Sequence, residues 1–401
     1  MQVGELFALP ELACTCYVVG GWVRDRLLQR IGRKVDLDLV LPEGAIDISR
    51  AIARKLKGGF VILDQDRQIA RVVLPDLTID FAQQIGSSLL EDLSLRDFTI
   101  NGIAQEIHNL ENYIDPHHGR IDLQNRVIRM IHPDNLKADR LRVLRAYRLA
   151  AQLDFRIEDK TQIELCTSAD GLKAIASERI FAELCHLLLA GELGTTWLIR
   201  AITDRVLSAW LKEDFLELER FSRIDSAIAL LINTYPQLQA FFNQPLTKER
   251  PAIITVKLAA LANSAYAVEP LGFSKIEQKW LLGILRHLPQ LREILSSDDP
   301  VIYYRFYQKV KDFFPALIAV AIAQGWEFTT LQPLLNRWLD PCDPLVYPVN
   351  LITGDELQTL FHLKPSPQIG ELLEAVRIAQ VKGEVRDRHS AIALIKQRLN
   401  Q

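Results

Sequence analysis

The apolar residues of this chain change their spacing once, and that change limits the folds open to it. Up to about residue 130 they form short runs typical of strands, of which DLDLVL (36–41) alternates strictly. FVILD (60–64), IARVVL (69–74) and LTIDFA (77–82) are further such runs. From about Pro133 onward, Leu, Ala and Ile recur every three or four residues, as in a helix buried on one face. Strands at one end and helices at the other predict an α+β protein, with a mixed α/β part followed by an all-α part.

The length of 401 residues predicts several domains, because one hydrophobic core seldom organises more than roughly 250–300 residues. In the first part we also predict a strand at 14–19 and helices at 22–30 and 45–56. Glycine- and proline-bearing breaks divide the helical remainder. We expect four parts, at 1–130, 131–195, 196–345 and 346–401.

Composition disfavours several classes of protein. No apolar run reaches the roughly 18 residues of a membrane span, and the N-terminus has no basic flank typical of a signal peptide. Five cysteines without a CxxC pair indicate reduced thiols and a cytoplasmic protein, and make a cysteine-bound metal improbable. The net charge of −3 disfavours nonspecific coating of nucleic acid but allows RNA to bind along a local basic stripe.

Three acidic residues lie on predicted strands. Asp36 and Asp38 are two residues apart, so both carboxylates project from one face of their strand while the leucines between them pack on the other. Asp80, in LTIDFA, is a third acid flanked by apolar neighbours. Mg²⁺ needs only one or two protein carboxylates beside substrate phosphates. The pattern therefore favours a metal-dependent phosphoryl-transfer site, although a DxD pair alone is most often a turn or strand-edge feature.

A double glycine, Gly20-Gly21, lies between a predicted strand and a helix, and Arg24-Asp25 follow within one helical turn. Glycines in such a turn let backbone N–H groups and the helix N-terminus approach a phosphate, to which Arg24 adds positive charge. A glycine pair alone is more often only a tight turn. Its place just before the DxD strand favours the phosphate interpretation.

Five segments in a fixed order resemble the bacterial tRNA nucleotidyltransferase and poly(A) polymerase class of the nucleotidyltransferase superfamily. They are GGWVRDRLL with VDLDLV, SLRDFTINGIA (94–104, similar to RRDFTINA), IDPHHGRIDL (114–123, similar to DP-x-GG-x-x-DL), ADRLRVLRAYRLA (138–150, similar to EDxxRxxR) and SERIFAEL (177–184, similar to ERI-x-x-EL). The C-terminal half matches less sharply, through LITGDEL (351–357) and LKPSPQIGELL (363–373).

The resemblance implies a polymerase-β-like catalytic head, a helical neck that reads the base, and a helical body and tail that bind the acceptor stem and elbow of tRNA. Gly20, Gly21, Arg24 and Asp25 would hold the triphosphate, Asp36 and Asp38 would bind Mg²⁺, and Asp80 would be the third acid. The segment after Leu95 would hold the ribose through Arg96, Asp97 and Asn101. Asp97 is also a candidate N-cap for a helix FTINGIAQ. Asp139, Arg142, Arg145 and Arg148 would line the nucleotide pocket.

Spacings of three place Asp139, Arg142, Arg145 and Arg148 along one broad helix face. An acid beside an arginine can read a base edge: Asp139 accepts from an exocyclic amine and Arg142 donates to the ring nitrogen next to it. Cytosine and adenine offer this pattern, whereas uracil and guanine offer the reverse. An unmatched buried polar group costs about 1–3 kcal/mol, so the pair is expected to admit C and A and to reject U and G.

Departures from the family pattern bear on which nucleotide is added. Leu95, Gly102 and Ala138 replace an arginine, an alanine and a glutamate of the motifs. Family members that add the terminal adenosine carry a longer flexible loop between Asp80 and Arg96, where this chain has only FAQQIGSSLLEDLSL. We therefore favour an enzyme that adds two cytidines from CTP. The alternatives are an enzyme that adds the full CCA end and one that adds only the adenosine, and both of these would use ATP.

Other functions are less well supported. A poly(A) polymerase shares the head motifs, but its basic C-terminal extension is missing. A phosphohydrolase with a helical HD domain is disfavoured because none of the eight histidines is followed by Asp. An inactive RNA-binding scaffold is disfavoured because the candidate site residues occur together. The sequence leaves the oligomeric state open.

Overall fold

The computed structural model of the protein describes residues 6, 9–12, 16–30, 32, 34–248 and 250–400. The chain divides into two compact units, Met1–Ala209 and Trp210–Gln401. The first unit contains a mixed sheet and helices, and the second is helical, so the predicted α+β class is confirmed. The finer division into four parts stays a prediction.

The first unit is built on a seven-stranded sheet with the spatial order β3-β4-β5-β2-β1-β6-β7. Its strands are β1 (Tyr17–Val19), β2 (Val35–Leu41), β3 (Gly59–Asp64), β4 (Ile69–Val73), β5 (Leu77–Gln83), β6 (Ala104–Glu106) and β7 (Asn109–Ile114). Strands β2 and β5 run parallel, and the other neighbouring pairs run antiparallel. A separate two-stranded parallel pair joins β8 (Val127–Ile128) to β9 (Arg156–Ile157).

Helices follow the strands of the first unit and continue beyond them. They are α1 (Gly21–Leu27), α2 (Ala45–Leu56), α3 (Leu89–Ser94), α4 (Gly119–Gln124), α5 (Pro133–Ala138), α6 (Leu141–Leu153), α7 (Asp159–Ser168), α8 (Ser177–Leu188) and α9 (Glu192–Thr203). Helix α2 packs on β3, β4 and β5, and helix α6 packs against α8 and α9. Short helix α3 covers Val19, Val40 and Ala104 on the face of the sheet that also carries the DxD acids.

The second unit consists of short and medium helices. They are α10 (Leu218–Ser222), α11 (Ile224–Thr234), α12 (Leu238–Asn243), α13 (Ala252–Leu261), α14 (Lys275–His287), α15 (Leu291–Leu295), α16 (Pro300–Val310), α17 (Phe314–Ala323), α18 (Phe328–Leu339), α19 (Gly354–Phe361), α20 (Pro367–Val381) and α21 (Arg388–Leu399). Helices α13 and α17 are almost wholly buried, and apart from Thr255 and the ion-paired Lys257 of α13 they are apolar around their circumference. The last three helices share a cluster that includes Leu357, Leu372 and Ile395. Within the described ranges, no helix combines the length and the apolarity that crossing a bilayer requires.

Most strands and helices predicted for the head match the structure to within a few residues. The predicted strand 14–19 corresponds to β1, although residues 14 and 15 lie outside the described part of the chain. The predicted helix FTINGIAQ is wrong. Only a single 3-10 turn, Thr99–Asn101, forms there, and the chain then enters β6 beside β1. Pairing with the sheet supplies the backbone hydrogen bonds that the helix would have made.

Two helical glycines make a matched test of the packing. A Cβ built at Gly194 in α9 would lie 2.1 Å from the carbonyl oxygen of Leu187 in α8, whereas a Cβ at Gly370 in α20 meets nothing within 4 Å. We expect Gly194→Ala to destabilise the fold by about 2 kcal/mol or more, because backbone must move. Gly370→Ala is expected to stabilise it by about 0.5–1 kcal/mol. Denaturant unfolding of both variants checks this, and equal effects would contradict the close contact between α8 and α9.

Candidate active site

The three candidate acids meet on one face of the sheet. Asp36 and Asp38 are exposed on β2, while Leu37 and Leu39 between and beyond them are buried on the opposite face. Asp80 on β5 lies opposite Asp38 in the parallel register. Adjacent strands are about 4.8 Å apart, so the carboxylates of Asp38 and Asp80 are neighbours. The alternation that the sequence predicted therefore brings these acids together.

The glycine turn lies against this acidic face. Gly20 joins β1 to α1 with φ of +76°, a conformation that favours glycine. A Cβ at this position would lie 3.1 Å from Asp38 Oδ2 and 3.3 Å from Arg96 Nη1. A side chain here would press on both the acid and the arginine, and the positive φ favours glycine as well. The turn, Asp38 and Arg96 are thus within reach of one bound phosphate group.

An open cleft of about 240 Å³ lies in front of the turn. Gly21 at the start of α1, Arg24 and the two β2 acids line it, together with Lys34. Sequence reasoning did not single out Lys34, although its place one residue before β2 was visible. A lysine, an arginine and a helix N-terminus facing two carboxylates give the cleft charges of both signs, which suits a metal-bound anion.

Arg24 is held by a network rather than pointing freely into the cleft. Its guanidinium forms a two-point ion pair with Asp25, at 2.8 and 3.0 Å, and its side chain is only 12% exposed. Its Nη1 donates to Asn101 Oδ1 at 2.9 Å, and Asn101 Nδ2 donates to Asp97 Oδ1 at 3.0 Å. The predicted triphosphate residues Arg24 and Asp25 and the predicted ribose residues Asn101 and Asp97 are therefore one connected group.

Asp97 is the most buried member of this group, with 5% of its surface exposed. Burial by itself raises the pKa of its carboxyl, but the nearby Arg145 guanidinium and the hydrogen bonds from Asn101 and the Phe98 N–H together hold the pKa below its usual value. Arg145 Nε lies 3.2 Å from Asp97 Oδ2. The predicted N-cap role is replaced by this contact, which ties the segment after α3 to helix α6.

Arg96 projects from the same segment toward the glycine turn. Its Nη2 donates to the buried carboxylate of Asp92 at 3.2 Å, which fixes the side chain. Its Nε is buried and has no hydrogen-bond partner in the part of the chain that the structure describes. Buried donors are nearly always satisfied, so this N–H is an exception, while Nη1 of the same guanidinium lies beside the glycine turn and could bind an anionic ligand.

The electrostatics single out Asp38 among the acids. Desolvation raises the pKa of its carboxyl, the guanidinium groups of Arg96 and Arg145 oppose this rise, and the carboxylates of Asp80 and Asp36 add to it. Asp38 still has an open side toward solvent, but protein atoms crowd the rest of it. A carboxylate that is costly to ionise in the absence of a cation is a natural cation ligand.

Asp80 differs from the other two acids because Arg71 on β4 binds both of its oxygens at 2.7 Å. The same bond raises the pKa of the Arg71 guanidinium. Within the described residues, no three or more His, Cys, Asp or Glu side chains are grouped closely enough to hold a metal ion by themselves. Asp36 and Asp38 remain available, and a pair of carboxylates completed by substrate phosphates fits Mg²⁺.

The candidate base-reading residues do not all lie on one helix, which corrects the sequence prediction. Helix α5 ends at Ala138 and α6 begins at Leu141, so Asp139 lies in the break, where its Oδ1 accepts from the Leu141 N–H at 3.2 Å. Arg179 of α8 lies 3.4 Å from both oxygens of Asp139. Asp139 thus stands beside the start of α6 without being part of its face.

The three arginines of α6 have different partners. Arg142 Nη1 donates to the carbonyl oxygens of Leu95 and Asn135, at 2.8 and 3.1 Å. Burial lowers the pKa of the Arg142 guanidinium, and the carboxylates of Asp97 and Asp139 oppose that effect. Arg148, two turns from the start of the helix, binds Glu183 at 2.5 Å and Gln152 at 2.8 Å instead. Arg142 and Arg145 therefore border the segment 95–97, Asp139 lies beside the start of their helix, and Arg148 joins α6 to α8.

A polymerase-type sheet with an acid pair, a glycine turn and an adjoining arginine helix defines a nucleotidyltransferase. Comparison with known proteins agrees. Residues 16–129 match the family of the poly A polymerase head domain, 154–200 match the probable RNA and SrmB-binding site of polymerase A, and 271–395 match tRNA nucleotidyltransferase domain 2.

Full-length relatives identify the family. The chain is 39% identical to the CC-adding tRNA nucleotidyltransferase of Synechocystis sp., covering 97% of this chain and 94% of that protein. It is 31% identical to the CC-adding tRNA nucleotidyltransferase of Geobacter sulfurreducens, covering 94% of this chain and 90% of that protein. A CCA-adding enzyme solved with CTP has the same fold, with a TM-score of 0.76 and 23% identity over all of this chain and 95% of that chain. The chain belongs to the tRNA nucleotidyltransferase family.

The charge at Asp38 generates a prediction about stability. Because the folded protein raises the pKa of this carboxyl, ionised Asp38 is less favourable in the folded than in the unfolded state. We expect Asp38→Asn to raise the melting temperature of the metal-free protein by a few degrees or less. The increase in melting temperature is expected to be largest at a pH well above the pKa of Asp38 in the folded protein. It is expected to vanish as the pH falls below about 4, the pKa of an Asp side chain in the unfolded chain.

The measurement is thermal unfolding in EDTA at several pH values, with Asp47→Asn as a control because Asp47 is exposed on α2. Added Mg²⁺ is expected to stabilise the unmodified protein and to leave Asp38→Asn unchanged. A lower melting temperature for Asp38→Asn in EDTA would contradict the electrostatic assignment.

Proposed function

We propose that this tRNA nucleotidyltransferase adds the two cytidines that precede the terminal adenosine of tRNA, using CTP and Mg²⁺. The RNA 3′-hydroxyl oxygen forms a bond to the α-phosphorus of CTP, the bond to the pyrophosphate oxygen breaks in line, and the hydroxyl proton is lost. The observation that carries the proposal is that the Gly20 turn lies close against both Asp38 and Arg96, since a Cβ at Gly20 would be 3.1 Å from Asp38 Oδ2 and 3.3 Å from Arg96 Nη1. A triphosphate bound in front of this turn would contact backbone, a carboxylate-bound cation and the guanidinium together.

The candidate site residues of the head have separate roles in placing CTP. Asp36 and Asp38 would hold Mg²⁺, which when bound supplies positive charge that favours the ionised hydroxyl and the leaving pyrophosphate. The helix N-terminus at Gly21 and the fixed guanidinium of Arg24 bind phosphate oxygens. Arg96, whose Nη1 lies beside the glycine turn, and the Asp97–Asn101 pair would face the ribose. Asp80 is paired with Arg71 on the neighbouring strand, and its negative charge raises the pKa of Asp38.

Base selection belongs to Asp139 and Arg142. Asp139 accepts a hydrogen bond from the exocyclic amine of cytosine, and Arg142 donates to the adjacent ring nitrogen. Hydrogen bonds to backbone within the described residues use only Nη1 of Arg142, which leaves Nη2 and Nε for the base. Uracil presents an acceptor to Asp139 and a donor to Arg142, so both groups would lose their partners.

The connection between Asp80 and Arg96 supports CC addition over the addition of adenosine. It contains the end of β5, a turn at Gly86 with φ of +82°, and then helix α3. Glu91 binds the N–H and hydroxyl of Ser87, and Ser88 caps α3. No long loop separates the strand from the helix. The two relatives described above carry the CC-adding name, which supports the same choice.

Full CCA addition is the second candidate, because Asp139 and Arg142 accept adenine by the same hydrogen bonds as cytosine. The parts at 196–345 and 346–401 are proposed to bind the acceptor stem and elbow of the tRNA. Proline at the first turn of α20, after Ser366, leaves an open helix N-terminus suited to a phosphate.

The test is nucleotide incorporation into tRNA that lacks its CCA end. With CTP alone we expect two cytidines per tRNA, and with CTP and ATP together the product is expected to stop after the second cytidine. Mass spectrometry of the 3′ fragment counts the additions. Asp38→Asn serves as the matched control, because it removes one carboxylate charge and nothing else, and we expect at least a thousandfold slower incorporation, roughly 4 kcal/mol in the barrier.

Efficient addition of A after CC would contradict the CC assignment while leaving the nucleotidyltransferase chemistry intact. Incorporation by Asp38→Asn at the rate of the unmodified protein would contradict the metal assignment.

A further inference from the structure

A buried amide in α5 contacts the segment that carries the ribose-side residues. Asn135 is 6% exposed, and its Nδ2 donates to the carbonyl oxygen of Ser94 at 2.8 Å and to that of Arg96 at 2.7 Å. A primary amide has two N–H groups, so both are used. The Ser94 carbonyl belongs to the last residue of α3 and the Arg96 carbonyl lies just beyond the helix, where no helical N–H remains to bind them. Asn135 supplies the missing donors from another helix.

The carbonyl of Leu95, between Ser94 and Arg96, is bound by Arg142, the proposed base-reading arginine. Arg142 Nη1 donates to the carbonyl oxygen of Leu95, and the second hydrogen on the same nitrogen goes to the backbone oxygen of Asn135. Three consecutive carbonyls, at 94, 95 and 96, are therefore bound alternately by Asn135 and Arg142. Asn135 therefore binds both the 94–96 segment, through its side chain, and Arg142, through its backbone oxygen.

We infer that Asn135 is a positioning residue for nucleotide selection. It sets the separation between Arg96, on the phosphate and ribose side, and Arg142, on the base side, and thereby the base that fits between Arg142 and Asp139. The inference rests on the roles proposed above for Arg96 and Arg142. Neither the family motifs nor the charge pattern indicated Asn135, because it lies four residues before the motif that begins near Asp139.

Geometry explains why this separation matters for specificity. Hydrogen bonds weaken steeply as their angles bend below about 120° or their lengths exceed about 3.2 Å. If the turn at 94–96 shifts, Arg142 follows the Leu95 carbonyl and leaves the cytosine ring nitrogen. The Arg142 N–H groups, which disfavour uracil because they would face its ring N–H, are then misplaced as well. Loss of Asn135 is thus expected to weaken CTP use and the preference for CTP over UTP together.

The test uses Asn135→Ala, which removes both donors, and Asn135→Ser, which keeps one. Single-nucleotide addition to tRNA lacking CCA gives kcat and KM for CTP and for UTP. For Asn135→Ala we expect kcat/KM for CTP to fall about ten- to a hundredfold and the CTP-over-UTP ratio to fall about tenfold. Asn135→Ser is expected to lie between Asn135→Ala and the unmodified enzyme. The KM for tRNA is expected to stay constant, because the RNA-binding parts are unchanged.

Gln162→Ala is the matched control. The Gln162 amide donates to Tyr147 at 2.7 Å and to Asp204 at 2.8 Å, with a weaker contact to Cys166 Sγ at 3.7 Å, and it donates to no carbonyl of the segment 94–97. We expect this variant to lose stability and to keep the CTP-over-UTP ratio. A purely structural role for Asn135 predicts the same pattern as Gln162→Ala, with the ratio unchanged.

The outcomes separate the two proposals. If the unmodified enzyme adds cytidine but folded Asn135 variants keep its CTP-over-UTP ratio, the inference fails and the proposed function stands. If the unmodified enzyme adds no cytidine, the proposed function fails. Where Asn135→Ala does not fold by circular dichroism, Asn135→Ser decides, and an unchanged ratio in that variant overturns the inference.

Discussion

The contact between Asp97 and Arg145 is the interaction on which the site depends, because it joins the sheet-bearing head to helix α6, which carries the proposed base-reading arginine. Asp97 accepts hydrogen bonds from Asn101 and from the Phe98 N–H, and it meets Arg145 with its other oxygen. Through Asn101 it also reaches Arg24 at the glycine turn. Removing one partner of a wholly buried ion pair costs about 3–5 kcal/mol. Since the Arg145 side chain is 46% exposed, solvent screens part of this interaction. Its main consequence is geometric, because it holds the proposed phosphate-binding side and the proposed base-reading side of the site in a fixed relation.

The site places acidic and basic side chains side by side, so that a cation and an anionic ligand could bind there together. Crowding raises the pKa of Asp38, while Arg96 keeps a buried N–H without a partner in the described part of the chain. A cation at Asp38 would favour its ionised form, and a triphosphate beside the Arg96 guanidinium would balance the positive charge there. Asp80 is different, because Arg71 already neutralises it. The pair of Asp36 and Asp38 is therefore the better candidate for direct metal contact, and Asp80 acts from the next strand.

The sequence predicted the head well because its signals were local. Strand alternation placed Asp36 and Asp38 on one face, and the β5 pattern placed Asp80 beside them. Asp139 was misplaced because neither Gly nor Pro marks the break between α5 and α6; the Asp139 side chain itself binds the first free N–H of α6. Asn135, Arg71 and Lys34 were missed for a related reason. Their roles arise from partners distant in the chain or from a cleft that only the fold assembles, and a single Asn or Lys carries no periodic signal.

A crystal structure of the protein with Mg²⁺ and a non-hydrolysable CTP analogue tests most directly whether one nucleotide spans both sides of the site. The account predicts the triphosphate at the Gly20–Gly21 turn with the cation on Asp36 and Asp38. It predicts cytosine N4 and N3 at about 3 Å from Asp139 and Arg142, with the contact between Asp97 and Arg145 retained. A cytosine bound away from Asp139 and Arg142, or a triphosphate away from the glycine turn, would contradict it.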